Sequence, residues 1–306
     1  MSGIDKVKTL VVVVGPTAVG KTAMAIRLAQ HFDTEILSAD SRQFYREMNI
    51  GTAKPDAEEL ASAPHHFINS HSIAEEYSAG DFERDALMLL DKLFQQHSVV
   101  IMVGGSGLFV RAVCEGLDNL PKAPAELREK WNTVFATEGL VPLQERLKQI
   151  DPEYYASADI DNPQRVIRAL EVFEATGRPI SAYQQKKTAA RGFNIVTVGL
   201  NMEREKLYER INLRVDKMME AGLLDEVKSL APYRNQPALL TVGYAELYRY
   251  LDGDISIEQA VDSIKQNSRR YAKRQITWFK KYGETTWFEA EDDTAIIAHI
   301  EGKLKA

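Results

Sequence analysis

Gly15-Pro16-Thr17-Ala18-Val19-Gly20-Lys21-Thr22 follows directly on five apolar residues, 10 to 14, and runs into a helix-forming segment, residues 23 to 31. The octapeptide matches G-x-x-x-x-G-K-[ST] in the strand-to-helix context that the motif requires. Successive backbone N–H groups of such a loop point inward, and the helix N-terminus adds partial positive charge. Lys21 is expected to reach over bound phosphates and the Thr22 hydroxyl to hold Mg²⁺. All eight residues therefore read as a diphosphate cradle. The motif leaves open whose phosphates are bound.

Residues 34 to 39 read as a second short strand with Asp40 at its carboxyl end, the edge of an open parallel sheet where ligands bind. The run Asp40-Ser41-Arg42-Gln43-Phe44-Tyr45 sets a carboxylate, hydrogen-bond donors and aromatics beside the phosphate site, although Asp and Ser are also ordinary helix caps. Residues 51 to 77 read as a loop region. Its His65, His66 and His71 lack regular metal-ligand spacing. Ser78-Ala79-Gly80-Asp81 has capping-box form and opens a crossover helix with Phe82, Ala86, Leu89, Leu90 and Leu93 on one face. Residues 99 to 103 form a third apolar strand, which ends in Gly104-Gly105-Ser106-Gly107. An NTPase usually carries there the Asp that helps to hold Mg²⁺. The only comparable Asp is Asp40, after the second strand, so the site is atypical.

From residue 118 to about 191 the chain turns to proline-punctuated segments of helical period without a convincing strand. The fold class predicted is α/β, a P-loop NTPase-like parallel sheet flanked by helices, with a helical insertion domain. The core is expected over 1–118 and 192–306 and the insertion over 119–191. Within the insertion, Arg165 and Arg168 share one helix face. Residues 193 to 200 return to the sheet. A helix from Arg204 buries Leu207, Ile211, Val215 and Met218 and carries Arg210, Arg214 and Lys217 as a neighbouring stripe, a pattern more typical of a solvated face than of a phosphate clamp. Residues 240 to 245 turn into another helix, and Ser256 with Gln259 caps the long helix that follows.

That long helix is electrostatically distinct. The chain has 306 residues, a net charge of −6, 38 Lys and Arg, and 44 Asp and Glu. Between Asp262 and Glu284, however, stand Lys265, Arg269, Arg270, Lys273, Arg274, Lys280 and Lys281 with no acidic residue among them. Tyr271, Trp278 and Tyr282 are interleaved. Aromatics for base stacking beside phosphate-binding cations suit single-stranded RNA. The single cysteine, Cys114, excludes an internal disulfide and a Cys-rich zinc site; a core position is expected for it. No run of about eighteen apolar residues occurs and the N-terminus lacks signal-peptide character. A cytoplasmic protein without a membrane span is expected.

Taken together, several stretches resemble the tRNA dimethylallyltransferases, also called tRNA isopentenyltransferases. They are GPTAVGKT (15–22), DSRQFYREMNIGTAKP (40–55), GGSGLF (104–109), DNPQRVIRALEVF (161–173), LTVGYAE (240–246) and KRQITWF (273–279). They keep the family's order across most of the chain. Ser106, Phe109 and Leu240 stand where the family usually has Thr, Tyr and Gln.

The resemblance implies transfer of a dimethylallyl group from dimethylallyl diphosphate to N6 of the adenosine 3′-adjacent to the anticodon, by a monomer acting on the anticodon stem-loop of tRNA. The loop 15–22 then holds the donor's diphosphate with Mg²⁺, and the missing carboxylate after the third strand ceases to be an obstacle. Asp40 is the implied base, with Thr17 and Arg214 beside it. Implied tRNA contacts are Asp40, Ser41, Arg42, Gln43, Ser106 and Arg128; Gln164, Arg165, Val166, Ile167 and Arg168; Leu240, Thr241, Val242, Gly243, Tyr244 and Ala245; and Lys273, Arg274, Gln275, Ile276, Thr277, Trp278, Phe279 and Lys280. The alternatives are prenylation of free adenine nucleotides, a small-molecule P-loop kinase and a non-catalytic RNA-binding module. The basic helix and long insertion weigh against the first, the missing carboxylate after the third strand and the basic aromatic helix against the second, and the intact Lys21, Thr22 and Asp40 against the third.

Overall fold

The structure, a computed structural model, describes residues 7–184 and 189–305. In chain order it runs β1 (Thr9–Val14), α1 (Lys21–Phe32), β2 (Ile36–Ser38), α2 (Ala57–Ser62), β3 (His65–His66), α3 (Ala79–Leu93), β4 (Val99–Val103) and α4 (Gly107–Glu115). Then come α5 (Ala125–Glu138), α6 (Val141–Ile150), α7 (Pro152–Ser157), α8 (Pro163–Thr176), β5 (Asn194–Asn201), α9 (Arg204–Glu220) and α10 (Leu223–Ser229). The chain closes with α11 (Tyr244–Leu251), α12 (Ile257–Lys281), β6 (Thr285–Glu289) and α13 (Asp293–Leu304). It divides into two compact units, Met1–Gly116 with Ala190–Ala306, and Leu117–Ala189.

The first unit is built on one parallel sheet of order β3-β2-β4-β1-β5-β6. Every residue of β1 and β4 is buried, as expected of parallel strands covered on both faces. Alternation along β1 feeds two cores: Leu10, Val12 and Val14 join one, Val11 and Val13 the other. Because β2, β4 and β1 are neighbours, the segments leaving their carboxyl ends lie side by side. The Ala39 N–H donates to the Val103 carbonyl at 2.7 Å and the Gly104 N–H to the Val13 carbonyl at 3.1 Å. A Cβ on Gly104 would stand 2.3 Å from the Ala39 carbonyl oxygen, so only glycine fits this crossing. Topology alone thus brings residues 15–22, 39–43 and 104–106 to one edge.

Caps place the helices as expected. Ser78 with Asp81 and Ser256 with Gln259 form reciprocal capping boxes for α3 and α12. The region 51–77 is more regular than a loop, since α2 and β3 interrupt it and β3 extends the sheet by its edge. Its histidines take separate partners: His66 meets Glu35 at 2.5 Å, His65 the Ala63 carbonyl at 2.7 Å and His71 the Ser70 hydroxyl at 2.8 Å. The C-terminal β6 and α13 have no counterpart in the sequence reading. Two-residue alternation is weak in Thr-Thr-Trp-Phe-Glu, and the strand is placed by its register against β5.

The second unit is all-helical among its described residues. Leu143, Leu147, Val166, Ile167, Leu170 and Val172 form its core. Glu171 is buried there and accepts two hydrogen bonds from Arg128, at 2.7 and 3.2 Å, and one from Arg168 at 3.4 Å. A buried carboxylate is tolerable because two guanidinium groups meet it.

Candidate active site

The phosphate loop depends on glycine at two positions. Gly15 has φ +147°, and a Cβ there would lie 2.7 Å from the Leu200 carbonyl oxygen; Gly20 has φ +110°. Ala18, at φ 65°, is the strained non-glycine member, and its carbonyl accepts from Arg210 Nε at 2.9 Å. Helix α1 begins at Gly20 with neither a side-chain cap nor an acidic residue in its first turn. Its first N–H groups are therefore not satisfied by protein side chains, and this end of the helix suits an anion.

Two cations converge above the loop. Lys21 Nζ donates to the Pro16 carbonyl at 2.8 Å. Burial pushes the Lys21 ammonium down to about 7, the neighbouring Arg214 pushes it the same way, and Asp40 partly opposes both. Arg214, lowered chiefly by burial, donates to Thr17 Oγ1 at 3.3 Å and to the Ala53 carbonyl at 3.4 Å, both neutral acceptors. Two desolvated cations with neutral hydrogen-bond acceptors are costly alone and suited to an arriving anion. The stripe on α9 is thus divided: Arg214 is half-buried whereas Arg210 and Lys217 stay exposed, and all three line a cavity of about 580 Å³ with Lys21, Thr22 and Asp40.

A second cavity of about 250 Å³ shares Thr17, Asp40, Thr52, Arg214 and Tyr271 with the first. Its remaining wall sets the apolar side chains of Ile211, Val215, Met218, Leu223, Val242 and Ile264 beside Ser41, Arg42, Thr241 and Ser268. Asp40 stands where the polar and apolar lobes meet. Its Oδ1 accepts the Arg42 N–H at 2.9 Å, an Asx-type contact that orients the carboxylate and leaves Oδ2 without a hydrogen-bond partner among the described residues. The Tyr271 phenol is pushed up to about 12 by burial and by Asp40, so it stays a neutral donor near neutral pH. Ser106 accepts the Ser41 N–H at 2.9 Å, and Gln43 donates to the Thr52 and Ala53 carbonyls at 3.2 and 3.1 Å.

The segment 49–53 is held from α10, a contact invisible in sequence. Glu226 accepts the N–H groups of Asn49, Ile50 and Gly51 at 3.0, 2.7 and 3.1 Å and the Tyr244 hydroxyl at 2.6 Å. Burial and Glu226 raise the Tyr244 phenol far above its usual range, which keeps it a donor. Glu226→Ala leaves these donors unsatisfied and is expected to cost about 3 kcal/mol of stability, read as a lower urea midpoint; Glu226→Gln is expected to cost less.

The remaining sequence candidates fall on different surfaces. Gln164 and Arg165 are exposed at the start of α8, whereas Val166 and Ile167 are 1% and 0% exposed in the core of their unit. Tyr244, Phe279 and Gln275 are likewise buried. Those five side chains are buried, and a motif read as a contiguous string could not separate them from their exposed neighbours. Leu240, Lys273, Arg274, Thr277 and Lys280 are exposed, while Thr241, Val242, Ala245, Ile276 and Trp278 are half-buried. Of the basic run, Lys265 pairs with Asp216 at 2.6 Å and Arg269 donates to Asn212 at 2.5 Å, so both are partly occupied by α9. Cys114 is half-buried, its thiol pushed up to about 12 by burial.

Among the described residues no three His, Cys, Asp or Glu side chains cluster as a metal cage. The Thr22 hydroxyl and the Asp40 carboxylate offer hard oxygen donors beside the loop, which fits Mg²⁺ carried mainly by substrate phosphates and water. No helix of the described residues is long and apolar enough to cross a membrane.

Residues 43–282 match the family model described as IPP transferase. The chain is 50% identical to the tRNA dimethylallyltransferase of Christiangramia forsetii, covering 96% of this chain and 98% of that protein. It is 50% identical to the enzyme of the same name from Cytophaga hutchinsonii, over 97% and 98%. Among crystal structures it resembles the tRNA isopentenylpyrophosphate transferase of Bacillus halodurans, at 40% identity and a TM-score of 0.71 over 97% of both chains. A eukaryotic dimethylallyltransferase acting on tRNA matches at 27% identity and a TM-score of 0.76, covering 93% of this chain and 74% of that one.

Proposed function

Because the chain belongs to the IPP transferase family, we propose that its two joined cavities hold dimethylallyl diphosphate for transfer of the prenyl group to N6 of the adenosine 3′-adjacent to the anticodon in tRNA. The observation that carries this reading is the position of Asp40 at the junction of a phosphate cradle and an apolar lobe. A kinase would use the second lobe for the alcohol that accepts its phosphoryl group and has no need of apolar side chains there. A prenyl donor accounts for both, its diphosphate lying over Lys21 and its five-carbon tail among Val215, Met218 and Ile264. Arg214, at the shared wall, reaches the oxygen that links them.

An exocyclic adenine amine is a poor nucleophile, so the loss of its proton must accompany the formation of the new bond. As N6 bonds to C1 of the prenyl group, the C1–O bond breaks and its electrons leave with diphosphate. The N6 proton passes to Asp40, whose Oδ2 is free to accept it. Lys21, Arg214 and the open N–H groups of the loop meet the negative charge that grows on the leaving group. Mg²⁺, held by Thr22 and the phosphate oxygens, would add to that neutralisation. Thr17 Oγ1, tethered to Arg214, stands where donor and acceptor meet. The target base must leave its stack to reach Asp40, and the outward cations Lys273, Arg274 and Lys280 provide the local positive surface for the stem-loop backbone. We place this monomeric activity in the cytoplasm.

The test incubates the protein with Mg²⁺ and labelled dimethylallyl diphosphate, offering tRNA or AMP as acceptor. Label is expected in tRNA alone. Label in AMP instead assigns the protein to free nucleotides, and ATP consumption with a small alcohol but no labelled acceptor restores the kinase reading.

A further inference from the structure

We propose that Gln275 is a positioning residue of the phosphate loop, setting the affinity for the donor's diphosphate without contacting tRNA. The inference rests on the assignment of that loop to the donor. Gln275 lies in the middle of the basic helix α12, inside the string that resembles the family's tRNA-contacting motif, yet it is 6% exposed. It shares its face with Ala272 and Phe279, also buried, while Lys273, Arg274 and Thr277 point to solvent. The helical period therefore splits the motif: three or four residues apart, side chains face the core, and those between them face a partner.

The amide is spent at both ends. The Thr17 N–H donates to Gln275 Oε1 at 2.8 Å, and Gln275 Nε2 donates to the Gly105 carbonyl at 2.9 Å. The orientation is unambiguous, because a backbone N–H can only donate and a carbonyl can only accept. One side chain thus ties the phosphate loop after β1 to the glycine turn after β4. It holds Thr17 where its Oγ1 meets Arg214, and it directs the Thr17 N–H away from the set available to phosphate.

The glycine turn is shaped for this contact. A Cβ on Gly105 would stand 2.3 Å from Gln275 Nε2 and 3.6 Å from Lys21 Nζ, and one on Gly107 would stand 2.2 Å from the Trp278 indole. Gly105 and Gly107 are seats for α12. They let a helix whose outer face is basic deliver an uncharged amide to the cradle beside Lys21.

The experiment measures two affinities on the full-length protein: inorganic diphosphate with Mg²⁺ by calorimetry, and an anticodon stem-loop RNA by fluorescence anisotropy. Gln275→Leu, Gln275→Glu and Gly105→Ala are each expected to weaken diphosphate binding about tenfold or more while RNA affinity stays within about twofold. Gln275→Glu is expected to be the weaker diphosphate binder of the two Gln275 variants, because it sets a negative charge beside the phosphates; a packing role alone would rank the leucine lower. In steady state the loss is expected in the donor KM more than in kcat. Unchanged diphosphate binding, a loss confined to RNA, or parallel losses of both ligands with melting temperature would each overturn the proposal. Lys21→Ala separates the two levels. If it binds diphosphate as the wild type does, the assignment of the loop to the donor falls and the proposal with it. If it loses binding while the Gln275 variants keep theirs, the proposal alone falls.

Discussion

Asp40→Ala is expected to leave diphosphate and RNA binding within severalfold of wild type while slowing prenyl transfer by about 10²–10⁴-fold, the usual worth of a positioned general base. The expectation follows from the geometry of one carboxylate. Oδ1 is held by the Arg42 N–H, so the group is oriented before substrate arrives, and Oδ2 is left to receive a proton at the junction of the two lobes. Asp40→Asn keeps the Arg42 contact and loses only the basicity, so it should fall nearly as far as alanine. Single-turnover rates at saturating donor and tRNA make the comparison. A near-normal rate for Asp40→Asn would remove the carboxylate from proton transfer and reduce it to a part of the wall.

A second large effect is expected at Lys21. Replacing it with methionine, which keeps the stem, should weaken inorganic diphosphate about a hundredfold or more, since a buried charge-assisted contact to an anion is lost. Its pH dependence has a definite sign. In the free protein the ammonium sits near 7 instead of its ordinary 10.5, so above pH 7 Lys21 is increasingly neutral. Bound diphosphate favours the charged form and raises that value. Binding must then take up a proton at pH 8 to 9, and affinity must fall as pH rises through and beyond about 7. Calorimetry in two buffers of different ionisation enthalpy measures the uptake, which Lys21→Met should abolish. Stability of the free protein runs the other way. Between about 7 and 10.5 the unfolded chain binds a proton at this lysine that the folded chain does not, so this group's contribution to stability rises with pH across that window. Absence of proton uptake in the wild type would place the diphosphate away from Lys21.

Much of the core was legible in the chain itself. The apolar run 10–14, the octapeptide after it and the helix that follows form a local unit whose periodicity and glycines admit one geometry. The capping boxes at Ser78 and Ser256 also act over three residues, and both helices begin where those residues place them. Less local features were harder to see. The strand β3 has only two residues and is half-buried, so it exists because β2 offers an edge. The stripe Arg210, Arg214 and Lys217 has the spacing of a solvated helix face, and only the packing of α9 against the loop 15–22 draws Arg214 inward while the other two stay exposed.

Sequence alone, then, determined the local patterns: a glycine-rich loop between strand and helix, a carboxylate at the end of the second strand, and a basic aromatic helix, each a short-range pattern that steric and hydrogen-bonding rules translate directly. Which side chains are brought together around that loop was decided by tertiary structure. Gln275 and Thr17 lie 258 positions apart, and Glu226 meets residues 49–51 from more than 170 positions away. No periodicity links such residues. They meet because parallel strands bring the ends of β1, β2 and β4 to one edge, and because a helix shows its neighbours opposite faces at every second residue. A motif string records identity in order; burial, which sorts the string into core and contact, exists only once the chain has folded.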